Sequence, residues 1–171
     1  TACAGCVVPC KDIFRIPSGP YAGEIGKAME HECLHCLGTN CGLSDPVAIM
    51  TMENLADKYG MCVIGLGNAV AFAKDLFAHG LIGPEETEGL DLSWENSEDQ
   101  IDLIHRIALR QPFGSLVAEG LLNMARIVGG KAMDFCYHVK GLSRGHHPAG
   151  IFALAHATST RGADHLRGRS W

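Results

Sequence analysis

A chain of 171 residues, 47% of them apolar, has material for one or two hydrophobic cores. Its formal charge of -5, with 14 Lys and Arg scattered among 19 Asp and Glu, offers no basic stripe for a nucleic-acid backbone. The longest apolar run, Val63 to Ala73, is broken by Gly65, Gly67 and Asn68 and is too short for a membrane span, and no secretory signal is visible.

The chain opens on Cys3, Cys6 and Cys10, a C-x2-C-x3-C run bent by Gly5 and Pro9. Three thiolates on one tight loop point to iron–sulfur chemistry, which commonly uses four cysteines and so implies a fourth ligand elsewhere. Zinc competes, although structural zinc sites favour two pairs with short spacers. Disulfides fit poorly, because nothing else resembles a small secreted scaffold. Eight cysteines beside six methionines suit a reducing interior, so the cytoplasm is the expected location. A chain starting two residues before its first cysteine, and stopping at Trp171 after a motif-rich stretch, reads as part of something longer.

Beyond the loop, apolar periodicity predicts a helix over Tyr21 to Leu37, with Ile25, Met29, Cys33 and Cys36 near one face. Asn40-Cys41-Gly42 stops it, and Ser44-Asp45-Pro46 starts a second helix running to Gly60. Cys62 to Ala78 predicts a third, glycine-bearing and closed by Gly80, and Pro84 to Thr87 a short helical turn. Asn96 caps a helix carrying Ile101, Ile104, Ile107 and Ala108 on one face. Gly114-Ser115 opens Leu116 to Val128, which Gly129-Gly130 closes, and a last helix is expected over Gly150 to Ser159. Tyr137 to Val139 is the best strand candidate. The fold class is mainly α, with residues 1–136 expected as one helical domain and 137–171 as the start of a second.

Longer stretches narrow the reading: Cys3-x2-Cys6-x3-Cys10, Glu32 followed by Leu37 to Gly42, and Asp57 to Cys62. Leu76 to Ile82, Leu90 to Trp94, His138 to Gly141 and Ala157 to His165 continue them. In order and spacing the chain resembles the helical C-terminal part of the aldehyde ferredoxin oxidoreductases, a tungsten-dependent family. The resemblance implies that Cys3, Cys6 and Cys10 hold three irons of a [4Fe–4S] cluster. It implies that Asp57, Gly60 and Cys62 contact a tungstopterin or molybdopterin, with Lys140, Thr158 and Arg161 in segments around it. Glu32 and His165 take the positions of groups that move protons beside the metal. Implied partners are ferredoxin or a similar carrier and a small aldehyde, with no nucleic acid or membrane; a homo-oligomer is compatible. Departures include His31, where a tyrosine usually precedes the glutamate, and His146-His147-Pro148 in place of Asp-Pro-Arg.

The chemistry fits these residue types. Turning an aldehyde into an acid adds water to a carbonyl carbon and releases protons, which a placed carboxylate such as Glu32 can accept. His165 could donate to the carbonyl oxygen, histidine being the side chain that titrates nearest neutrality. Simpler readings stand beside these. Glu32 could pair with Lys27 or His35, His165 with Asp164, and Gly60 could simply cap a helix. His31, Cys33, His35, Cys36 and Cys41 admit a zinc reading, although buried thiols more often pack. Rival functions are the active-site subunit of a benzoyl-coenzyme A reductase, a bis-pterin molybdenum oxidoreductase, and a non-catalytic iron–sulfur or zinc module.

Overall fold

The computed structural model describes residues 2, 4–9, 12–27, 30–146 and 150–163. Strands β1 (Ile13–Arg15) and β2 (Ile25–Lys27) form an antiparallel hairpin with Ile13 opposite Lys27 and Arg15 opposite Ile25. The helix expected from Tyr21 therefore does not begin there. Gly23 turns the chain at φ +88°, and Ile16 and Gly23–Glu24 exchange main-chain hydrogen bonds of 2.9 Å that extend the hairpin. A Cβ at Gly26 would stand 2.1 Å from Asn54 Oδ1 and 2.6 Å from the Phe14 ring, so only glycine lets the strand lie so close.

Helical structure begins at α1 (His31–Cys33) and passes into a π-helical turn, Leu34–Gly38, then a 3-10 turn, Thr39–Cys41. Helix α2 (Pro46–Lys58) starts as its sequence predicts, with Asp45 Oδ1 accepting from Val47 N at 2.9 Å and Pro46 at the first position. It ends in a Schellman turn: Gly60 takes φ +67°, Gly60 N donates to Asp57 O at 3.1 Å and Met61 N to Ala56 O at 2.8 Å. Helix α3 (Val63–Ala78) ends the same way through Gly80. Residues 84–89 form hydrogen-bonded turns rather than a helix.

Helix α4 (Ser97–Ala108) is capped by Asn96, whose Oδ1 accepts from Asp99 N. The single helix expected over Leu116 to Val128 is two, α5 (Pro112–Val117) and α6 (Gly120–Val128). Pro112 begins α5 earlier than Gly114, and Gly120 at φ +76° breaks the run. A 3-10 turn, Ala132–Phe135, leads to a two-residue ladder of β3 (His138–Val139) and β4 (Leu142–Ser143), then α7 (Ile151–Thr158).

One core joins α2, α3, α4 and α6 through Met52, Val70, Leu76, Leu103, Ile104 and Met124. Two buried polar side chains bind the 34–41 turns into it. Lys74 Nζ donates to Cys41 O at 3.1 Å, and Gln100 Nε2 to Leu37 O at 2.9 Å. Both satisfy carbonyls that the irregular helix leaves over. Among the described residues no helix is long and apolar enough to cross a membrane.

Candidate active site around Glu32

Glu32 lies in the last regular turn before the π-helical stretch, half-buried. In that stretch Thr39 N reaches Leu34 O, five residues back, as well as His35 O. The widened turn sits against α3 at Gly67, where a Cβ would meet Cys36 O at 2.3 Å. Cys41 Sγ fastens the approach, donating to Cys36 O at 3.2 Å and Gly67 O at 3.5 Å.

The Glu32 carboxylate accepts from the main-chain N–H of His146 at 3.0 Å, and Cys36 Sγ lies 3.8 Å from it. The His146 ring rests 3.9 Å from the His35 ring and 4.6 Å from the His31 ring, tilted by 34° and 46°. His35 Nδ1 meets Thr39 Oγ1 at 3.2 Å. Burial, then the neighbouring His146, push His35 below the ordinary imidazole range, and Glu32 partly opposes this. The two departures at His31 and His146, far apart in sequence, thus meet at one carboxylate.

A second polar chain leads from the same helix to Asp57. Cys33 Sγ donates to Glu53 at 3.2 Å, Lys27 Nζ stands 4.0 Å from Glu53, and Lys27 pairs with Asp57 at 3.0 Å. Lys27 thus pairs with Asp57 and Glu53. Hydrogen bonding to Asp57 chiefly holds its pKa up. The sequence offered Lys27 as a partner for Glu32, and its partners are instead Asp57 and Glu53; Glu53, a lone carboxylate in the run Val47 to Leu55, is wholly buried.

Gly60 forms the cap and Cys62 is exposed at the start of α3. Beside them opens a cleft of about 400 Å³ whose walls include Tyr59, Met61, Cys62, Leu66, Ile107 and Arg110, a size that suits a small molecule. Farther along, Lys140, at φ +53°, donates from Nζ to Ser159 O at 2.9 Å and Thr160 O at 3.4 Å, pinning the end of α7 to the β3–β4 turn. Thr158 Oγ1 turns back to Leu154 O at 2.8 Å, and Arg161 is exposed. Cys6 is exposed on its loop. Cys3, Cys10 and His165 lie outside the described residues.

Cys33, Cys36 and Cys41 are buried, and burial pushes each thiol up to about 12. Each has its own acceptor, and no group of three or more metal-ligating side chains is gathered among the described residues. Their burial and individual hydrogen bonds are those of packed thiols.

The family model described as aldehyde ferredoxin oxidoreductase, domains 2 & 3, matches residues 1–171. The chain is 32% identical over 172 residues to the aliphatic sulfonate oxidoreductase, WOR-like subunit, of Pyrococcus furiosus, covering 94% of this chain and 27% of that protein. It is 32% identical over 171 residues to the tungsten-containing aldehyde ferredoxin oxidoreductase of Pyrococcus horikoshii, covering 96% and 27%. It therefore spans about a quarter of these relatives' length. Among solved structures it is similar to the active site complex BamBC of benzoyl coenzyme A reductase in complex with 1,5 dienoyl-CoA. The TM-score is 0.76 at 20% identity, over 94% of this chain and 24% of that one, which is a likeness of fold.

Proposed function

The chain belongs to the aldehyde ferredoxin oxidoreductase family, and on that footing we propose that it serves a pterin oxidoreductase that converts an aldehyde to a carboxylic acid and passes the electrons to ferredoxin. The balance is aldehyde plus water to acid, two protons and two electrons. A tungsten or molybdenum pterin, held by Asp57 and Cys62 with Lys140, Thr158 and Arg161 around it, would supply two-electron redox chemistry, and a [4Fe–4S] cluster on Cys3, Cys6 and Cys10 would supply one-electron transfer.

The observation that carries this reading is the placement of Glu32. Its half-buried carboxylate is oriented by His146 N–H and backed by imidazoles, a setting in which it accepts a proton as water adds to the carbonyl carbon. His165 is assigned the donor to the carbonyl oxygen.

The residues present suit the two groups. Cys62, in the wall of the 400 Å³ cleft, offers a thiol to a pterin, and exposed Asp57, two residues before the wall residue Tyr59, offers an acceptor, with Gly60 shaping the turn between them. Lys27 fixes the Asp57 carboxylate. Lys140, Thr158 and Arg161 belong to the flanking segment. Cys6 presents its sulfur at the surface, weakly engaged with Val8 O at 3.7 Å, and with Cys3 and Cys10 would supply the cluster thiolates.

The experiment is metal analysis and dye-linked aldehyde oxidation on the full-length protein prepared without oxygen. Iron with tungsten or molybdenum, and a large loss of turnover in Glu32→Gln, are expected. Stoichiometric zinc without iron overturns the reading. Turnover of Glu32→Gln equal to wild type at every pH removes its proton role. The alternative, an aromatic-thioester reductase subunit, draws on the altered stretch at His146; it predicts benzoyl-coenzyme A reduction with no aldehyde oxidation.

A further inference from the structure

We propose that a second, smaller cavity between α3, Trp94 and Tyr137 binds a small primary ammonium ion, the free cation of an alkylamine. This cavity shares no lining residue with the cleft beside Cys62, and its chemistry does not depend on the reaction proposed at Glu32.

Asn68, Phe72 and Asp75 follow at i, i+4 and i+7 on one face of α3. They form one wall of a cavity of about 140 Å³, whose other walls include Asn40, Trp94, Phe135 and Tyr137. That volume is below the roughly 300 Å³ at which pockets for drug-sized ligands begin, so the occupant is small. Trp94 and Tyr137 are exposed, which leaves the cavity open to solutes.

The polar atoms left over in the lining are mostly acceptors. Asn68 Nδ2 donates to Ile64 O at 2.8 Å and to Arg144 O at 3.1 Å, which fixes the amide and leaves Oδ1 to accept. The Asp75 carboxylate accepts no hydrogen bond among the described residues. His79, 3.9 Å from it, donates from Nδ1 to the Asp75 carbonyl at 2.8 Å instead. The half-buried Asn40 carboxamide and the Tyr137 hydroxyl are also without hydrogen bonds among the described residues.

This combination selects an ammonium. The carboxylate repels anions, and a wall that is half aromatic does not supply the six or so oxygens that calcium or magnesium takes. An alkylammonium uses both kinds of wall. Its three N–H donors match Asp75, Asn68 Oδ1 and Asn40, while the rings attract its charge and cover its stem. A neutral alcohol of the same length loses the charge, and a quaternary ammonium loses the donors. Lys74 does not fill this place: its Nζ, 6.0 Å from the Trp94 ring centroid, donates to Cys41 O and is no part of the lining.

The test is a ligand-observed NMR titration of the full-length protein at about pH 7, where an alkylamine is protonated. It compares n-butylammonium chloride with 1-butanol and with tetramethylammonium chloride. Saturable binding of n-butylammonium, about tenfold tighter than of either control, is expected. Asp75→Asn keeps the shape of the side chain and should weaken that binding about tenfold. Tyr137→Ala, at an exposed ring, should weaken it about threefold. If Asp75→Asn melts early, Tyr137→Ala decides. Binding of n-butylammonium no tighter than of 1-butanol, or unchanged in a variant that melts with wild type, overturns the proposal. Displacement by an equal concentration of potassium chloride overturns it too, as does tetramethylammonium bound equally well, since neither leaves a role for the N–H donors.

Discussion

Alanine at Gly67 provides the sharpest test of how α3 supports the Glu32 turn. A Cβ there would stand 2.3 Å from Cys36 O and 2.5 Å from Cys36 C. Carbon–oxygen contacts settle near about 3.3 Å, so the helix and the π-helical turn must part by roughly 1 Å. Both contacts are main chain, and no rotamer change relieves them. Forced overpacking of this kind costs about 1–3 kcal/mol, against a helix-propensity gain of about 1 kcal/mol for replacing an interior glycine. Parting the surfaces also weakens the Cys41 thiol contacts to Cys36 O and Gly67 O. The net expectation for Gly67→Ala is a loss of up to about 2 kcal/mol. Gly65 supplies the internal control, because a Cβ at that position meets nothing closer than Cys62 Cβ at 4.0 Å. Gly65→Ala should therefore gain about 0.5–1 kcal/mol. Urea unfolding followed by circular dichroism should move the two midpoints in opposite directions. A Gly67→Ala midpoint at or above wild type would refute the close packing of α3 on the turn.

Alkaline stability should track the buried thiols. Cys33, Cys36 and Cys41 are raised from 9.0 to about 12 in the folded chain, so the unfolded chain ionises first. Their contribution is whole below pH 9.0 and drains away as pH approaches about 12. Cys36→Ala should flatten the fall in stability over that window, and an unchanged slope counts against it. Lys27→Met combined with Asp57→Asn should give a coupling of about 0.5 kcal/mol in a double-mutant cycle, reduced by salt because both groups are substantially exposed. Asp45→Ala removes the cap on α2 and should cost about 1 kcal/mol by thermal melting, with Asp45→Asn retaining most of it.

Local signals in the sequence were reliable wherever the local chain decides the outcome. Asp45-Pro46, Asn96, Gly60 and Gly80 start or stop helices where expected, because caps and left-handed turns need only neighbouring atoms. The helix over Tyr21 to Leu37 failed for the opposite reason. Ile25 to Cys33 carries helical spacing, yet the glycine turns at Gly19 and Gly23 and packing against Asn54 favour a hairpin. The widened turn at Leu34–Gly38 also depends on partners distant in sequence, Gly67 among them. The site divides likewise. Glu32 was legible by its motif, whereas the meeting of His31, His35 and His146 was not, since only the fold brings residue 146 to the first helical turn. Glu53 went unnoticed and Lys27 was matched with Glu32 rather than Asp57, because a charged side chain in an apolar stretch has no fixed meaning until its partners are known.

The five-residue turn at Leu34–Gly38 makes the bearing of Glu32 a matter of residue count. Each residue of an α-helix advances the direction of its side chain by about 100°. Removing one residue between Leu34 and Gly38 would permit regular helical closure and spare every named side chain upstream. It would also swing His31 and Glu32 through about that angle relative to Cys41, which Gly67 and Lys74 hold in place. Substitutions in this stretch adjust the site, whereas a single-residue deletion would aim the carboxylate elsewhere.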